Sequence, residues 1–154
     1  MKRIERILFI ILLLSILLKL LFIPGSSILI VLVASILSLF YFIFTFALIN
    51  ELSLRQLFFS NSYSRIGSLK VVGIIGLGIG LSLATTGLMF IMQNWSGGLA
   101  NLFGGIIIIF VIGIVALIKR QESENKIFYD KVLLRVGVSI LVGLIAFLIS
   151  GISV

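Results

Sequence analysis

Residues 71–92 read VVGIIGLGIGLSLATTGLMFIM, twenty-two residues without a charge, a proline or a regular alternation of apolar and polar side chains. A helix rises about 1.5 Å per residue, so this stretch is long enough to cross roughly 30 Å of hydrocarbon. A membrane strand needs only about half that length and alternates its two faces, which this stretch does not do. The glycines are spaced for a helix: Gly73, Gly80 and Gly87 recur every seven residues, and Gly76, Gly80 and Ala84 give small-x-x-x-small spacing. Such a stripe lacks side-chain bulk and lets helix backbones approach closely where burial from water cannot drive association. The segment therefore predicts a transmembrane helix at the centre of packing. Gly73, Gly76, Gly80, Ala84 and Gly87 form its contact face, toward a neighbouring helix or a second copy of the chain. A dinucleotide loop is set aside, because Gly76-Leu-Gly-Ile-Gly80 lies within an apolar run rather than between a strand and a helix.

Four further stretches share this character: Ile4–Ile23, Ser27–Ile49, Leu99–Ile118 and Val132–Val154. With Val71–Met92 they predict an all-α polytopic membrane protein, a single transmembrane domain over 1–154 with five spanning helices. Composition agrees. Of 154 residues 61% are hydrophobic and 11% charged, with a mean hydropathy of +1.38, against roughly 45–50% and about 25% in a soluble domain. The chain has no Cys and no His, which excludes disulfides, thiolate nucleophiles and histidine metal sites. No pair of carboxylates lies within a span, so acid–base chemistry has no carrier there. The expectation is a protein that is not an enzyme and holds no metal and no cofactor.

Two kinds of connection separate the spans. The first and third, Phe22–Ser27 and Gln93–Gly98, are short and uncharged, with Pro24, Gly25, Trp95, Gly97 and Gly98 as turn formers. The second, Asn50–Lys70, and the fourth, Lys119–Lys131 (KRQESENKIFYDK), are longer and polar. Eleven of the twelve lysines and arginines flank the spans on one side. Basic flanks stay cytoplasmic, so the N-terminus is predicted inside, and both hairpin turns and the C-terminus in the periplasm of a bacterial inner membrane. The net charge of +7 is then a topology signal that also attracts anionic lipid, at about 1 kcal/mol per residue near the surface, rather than a nucleic-acid footprint. The first span is read as a retained helix rather than a cleaved signal peptide, since its core is long and Lys19 and Pro24 interrupt its end. Leu52–Leu69 reads as a short interfacial helix, and Tyr63, Trp95 and Tyr129 fit interfacial aromatic belts.

Lys19 is the one charge inside a span, which makes it a functional suspect. It lies close to the Pro24-Gly25 turn, within snorkelling reach of the interface, as an anchor or as a contact to a lipid phosphate or a partner's acidic residue. Ser82, Thr85 and Thr86 are read as hydroxyls bonded back to their own helix, with a small polar lumen shared with Asn101 as the alternative.

Laying Pro24 on Ser96 aligns the two short hairpins at an offset of 72 residues, as parallel copies followed by one extra helix. Lys19-Leu-Leu-Phe-Ile-Pro24-Gly25 resembles the Lys-x-x-His-Trp-Pro-Gly hairpin of the gliding-motility and type 9 secretion inner-membrane proteins of Bacteroidetes. Asn94-Trp95-Ser96-Gly97 is a degenerate copy that keeps the Trp and the second Gly. The resemblance implies a membrane hairpin of the kind found in a proton-driven motor's stator-like subunit. Neither hairpin here has the His, however, and neither Ser27–Ile49 nor Leu99–Ile118 contains Asp or Glu, so the motor function is not implied. The sequence leads to a small non-catalytic membrane protein that acts by helix packing, as a subunit or scaffold beside copies of itself or a larger membrane partner in the lipid bilayer. The alternative is a homo-oligomeric pore or a small transporter.

Overall fold

Long apolar runs free of internal proline have one way to satisfy every backbone N–H and C=O without water, which is to coil. In a computed structural model of the chain, which describes residues 1–50, 68–122 and 126–152, they do so five times: α1 (Lys2–Leu20), α2 (Ser26–Asn50), α3 (Ser68–Met92), α4 (Gly98–Glu122) and α5 (Lys126–Ile152). There is no strand among the described residues. The interfacial helix expected over 52–69 lies outside them, except for residues 68 and 69, which belong to α3.

Four of the helices, α2, α3, α4 and α5, are long and apolar enough to cross a membrane. α1 is different. Its 19 residues include Lys2, Arg3, Glu5, Arg6 and Lys19, which leaves only the run from Ile7 to Leu18 uncharged. The fourth connection is also shorter than its polarity predicted. Lys119–Lys131 is helical up to Glu122 and again from Lys126, because Lys, Arg, Gln and Glu are good helix formers once the chain leaves an apolar run. Lys119 pairs with Glu122 at 2.6 Å, and Arg120 with Asp130 at 2.6 Å across the junction. Both pairs are exposed and contribute little to stability.

The helices alternate in direction. From one end of the α2–α3 pair to the other, Ser27 meets Gln93, Ser38 meets Ser82, and Thr45 lies against Gly78. α3 lies between α2 and α4, with α1 on the outer side of α2 and α5 against α4 and α3. The largest fully buried apolar side chains are accordingly those of the inner helices, Ile30, Leu37, Leu48 and Ile49 on α2, Ile74 and Leu77 on α3, and Ile109 on α4. The outward faces are apolar as well, with Leu39, Phe42, Phe110, Val111 and Leu144 all exposed.

α1 and α3 end in the same turn. Phe22 and Asn94 both take a left-handed backbone, φ 57° and 55°. Ile23 N donates to Leu18 O at 3.0 Å, and Trp95 N to Phe90 O at 2.9 Å. Phe22 N donates to Lys19 O and Asn94 N to Ile91 O, which completes a Schellman motif at each helix end. In the second copy the apolar contact that accompanies this motif is a ring pair, Phe90 edge-on to Trp95 at 5.3 Å. Gly25 (φ 87°) and Gly97 (φ 82°) then turn the chain into α2 and α4 with a backbone that other residues rarely adopt.

Candidate functional site

Three sets of residues hold the helices at fixed distances, and a fourth set lines the opening left between them. The first is the glycine stripe. A Cβ on Gly80 would stand 2.8 Å from Ile109 Cγ1 and 3.2 Å from Gly105 O, and a Cβ on Gly87 would stand 2.3 Å from the Leu102 nitrogen. From the other side, a Cβ on Gly105 would stand 2.5 Å from the Ala84 nitrogen, and one on Gly98 would be 2.9 Å from the Ile91 nitrogen. Gly80, Ala84 and Gly87 of α3 thus interlock with Gly98 and Gly105 of α4, backbone on backbone. Gly76 faces only the flexible tip of Ile112, at 3.0 Å, and Gly73 has nothing within 4 Å. The seven-residue periodicity therefore overstated the stripe at its charged end. Gly98, expected as a turn residue, is the buried first residue of α4 and packs against α3. Gly78 points the other way, 3.0 Å from Tyr41 O and 3.2 Å from Thr45 on α2.

The second set ties the turn ends together. A Schellman motif leaves some of the last carbonyls of its helix without an N–H partner. At the end of α3 the Met92 carbonyl accepts from Lys19 Nζ. Lys19 also reaches Gln93 Oε1 at 3.3 Å, while Gln93 Nε2 donates to Ser27 O at 3.0 Å. A cation at a helix C-terminus also complements its dipole. Within the chain Lys19 thus contacts the end of α3. Pro24 and Gly25 are exposed beside this lock, and Trp95 is half exposed.

The third set stands at mid-helix. Ser38 Oγ on α2 lies 2.8 Å from Ser82 Oγ and 3.0 Å from Thr86 Oγ1 on α3, and Thr86 returns a bond to Ser82 O. Thr85 bonds back to Leu81 O at 2.8 Å. The Ser38, Ser82 and Thr86 hydroxyls thus join α2 to α3, while Thr85 lines a small space that Leu102 of α4 also lines and Asn101 does not. Tyr129, expected in an interfacial belt, is buried, edge-on to Phe128 at 5.1 Å, with Lys70 Nζ 5.2 Å from the Phe128 ring.

The opening lies between α1 and α5, which an ion pair joins. Arg135 Nη2 donates to Glu5 Oε2 at 2.9 Å, with the two side chains only 13% and 17% exposed. Around this pair a cleft of about 440 Å³ opens at the charged end of the bundle, with Lys2, Arg6, Lys131 and Arg135 at its mouth. Phe9 and Val138 form its walls, and Tyr41 and Leu81 its floor. A smaller space of about 60 Å³ continues deeper along the same Phe9, Tyr41, Leu81 and Val138 to Leu12, Leu88 and Val142. The cleft volume falls in the roughly 300–1,000 Å³ range of small-molecule sites, and its plan is theirs, apolar walls with a few convergent polar groups.

The sequence reading missed this site, although its signal is present. Glu5, Phe9 and Leu12 on α1, and Lys131, Arg135, Val138 and Val142 on α5, are spaced three or four apart and so share one face of each helix. Read as topology markers alone, the charges concealed that two such faces confront each other. Among the described residues no group of three or more His, Cys, Asp or Glu side chains could hold a metal ion. No protein family, no curated protein and no solved structure shows a match to this chain.

Proposed function

We propose that the chain is a non-catalytic integral membrane protein with α1 as its fifth span, which works by helix packing as a subunit or scaffold of a larger membrane assembly, beside copies of itself or a larger partner. Its N-terminus is cytoplasmic, and its two hairpin turns and C-terminus lie in the periplasm of a bacterial inner membrane. The observation that carries this reading is where the polar chemistry lies. Apart from Lys19, the described Lys, Arg, Asp and Glu side chains stand at one end of the helices, while Gly78, Gly80, Gly87, Gly105 and the Ser38, Ser82 and Thr86 hydroxyls between are used in contacts from helix to helix and Thr85 bonds back to its own helix. Little is left at mid-membrane for chemistry, whereas broad apolar faces remain on α2, α4 and α5 for lipid or a neighbouring protein. The fifth span is supported by α1 running beside the others from Glu5 at Arg135 to Lys19 at Met92, about 21 Å at 1.5 Å per residue. The shared turn 72 residues apart supports reading the two hairpins as parallel copies, and it fits kinship with the Bacteroidetes hairpins without their motor function.

A small transporter or homo-oligomeric pore is the second reading, favoured by the cleft between α1 and α5. Extraction from native membranes with cross-linking, followed by mass measurement of the particle and identification of what accompanies it, tests the first. A complex larger than the 16.9 kDa monomer is expected. A lone monomer that makes liposomes leak to ions would favour the second reading, and a lone monomer without leakage would refute both.

A further inference from the structure

We propose that the cleft between α1 and α5 is a binding site for one anionic phospholipid, its phosphate at the mouth and an acyl chain along the walls. The inference rests on the reading that α1 lies in the bilayer. Its first ground is charge. Lys2, Arg6, Lys131 and Arg135 bring four positive charges to the mouth, and Glu5 supplies one negative charge. An excess of cations facing a partly buried space selects an anion, and guanidinium groups are matched to phosphate oxygens.

The second ground is an unused donor. Arg135 spends Nη2 on Glu5 and places Nη1 3.4 Å from Lys131 O, while its Nε, buried, has no hydrogen-bond partner. A buried donor without a partner is costly, and a phosphate that draws the Arg135 guanidinium toward the mouth gives this N–H an acceptor. The third ground is shape. From the mouth the walls become mostly apolar at Phe9 and Val138 and continue so into the deeper space beside Leu12 and Leu88, with Ser139, Thr85 and Tyr41 the polar residues along them. A free phosphate would use the mouth and leave those walls bare. A neutral lipid would fill the walls and leave the net positive charge of the mouth uncompensated. A phospholipid with net negative charge uses both, and in the leaflet at the charged end it enters sideways, between α1 and α5.

The test is native mass spectrometry of the whole protein in detergent, titrated with phosphatidylglycerol, with phosphatidylcholine and with inorganic phosphate. Retention of one phosphatidylglycerol, at least about tenfold tighter than phosphatidylcholine, is expected, with phosphate unable to displace it. Lys2→Gln/Arg6→Gln/Lys131→Gln should lower that affinity about tenfold or more, and Ser139→Phe, which fills the cleft beside Tyr41 without changing charge, should lower it as well. Lys119→Gln/Arg120→Gln/Lys126→Gln removes three charges elsewhere at the same end and should leave it unchanged. Equal loss in this last variant would reduce the effect to diffuse attraction and overturn the proposal. Displacement by phosphate, or no preference between the two lipids, would overturn it too. Side-specific labelling of residues 3 and 22 reports separately whether α1 crosses the bilayer, so loss of lipid selectivity with that crossing intact refutes the cleft alone.

Discussion

Glu5 and Arg135, 130 residues apart in sequence, form a 2.9 Å ion pair that joins the first helix to the last. Taking either charge away strands the other in a partly buried site, whereas taking both removes the problem. Glu5→Gln and Arg135→Gln should each lower stability, by about 1–3 kcal/mol, and the double variant should lose less than the two singles together. Unfolding in detergent followed by fluorescence of the single tryptophan, Trp95, measures this. Additive losses would show that the pair is not coupled.

The α3–α4 interface yields a graded test within one helix. Gly87→Ala places a methyl 2.3 Å from the Leu102 nitrogen, where neither backbone can yield without the helices parting. Overpacking of this kind costs about 1–3 kcal/mol. Gly73→Ala meets nothing within 4 Å and should be neutral or stabilising by up to about 1 kcal/mol through helix propensity. Thermal midpoints of the two variants should fall on opposite sides of the parent or differ by several degrees. Equal midpoints would contradict backbone contact at Gly87.

Removing the amine of Lys19 leaves the Met92 carbonyl and Gln93 with one partner fewer. Lys19→Met keeps the length of the side chain and should cost on the order of 1 kcal/mol, in line with interhelical hydrogen bonds within membranes. Lys19→Met should also weaken the effect of a second change, Gln93→Leu, because the two share one network. If Lys19 acted through lipid instead, Gln93→Leu would cost the same with and without it.

Phe22 and Asn94 hold the same left-handed backbone, which costs a bulky side chain about 1–2 kcal/mol and suits Asn far better. Phe22 is 93% exposed, so Phe22→Gly relieves the backbone while losing little packing. We expect it to raise stability by up to about 1 kcal/mol, and Asn94→Gly to raise it less. Denaturation midpoints for the pair, measured side by side, decide the order.

How much of this was legible beforehand differs from element to element. The helices at Ser27–Ile49 and Val71–Met92 were plain, because twenty apolar residues without a breaker admit few other structures. The helical reach of α4 and α5 past Lys119 was not, since charge was taken as the end of a span, while helix propensity carries the coil beyond it. Gly80 and Gly87 declared themselves by spacing, yet Gly105 and Gly98, their counterparts on α4, did not, because a stripe names a face and not its partner. Lys19 was conspicuous as a charge among apolar residues, but its acceptor is a backbone carbonyl 73 residues away, and no residue type marks that. The cleft depends on two helix faces meeting, Glu5 against Arg135, which single-helix periodicity cannot register.

The central claim is a bundle in which α1 crosses the membrane beside the other four helices, with both hairpin turns on one side. The chain has no cysteine, so Arg3→Cys, Phe22→Cys, Ser96→Cys and Ile127→Cys each create a single target for a membrane-impermeant maleimide. In intact cells residues 22 and 96 should label, and residues 3 and 127 should label only after the membrane is opened. Labelling of residues 3 and 22 from the same side, or of residues 22 and 96 from opposite sides, would contradict the account.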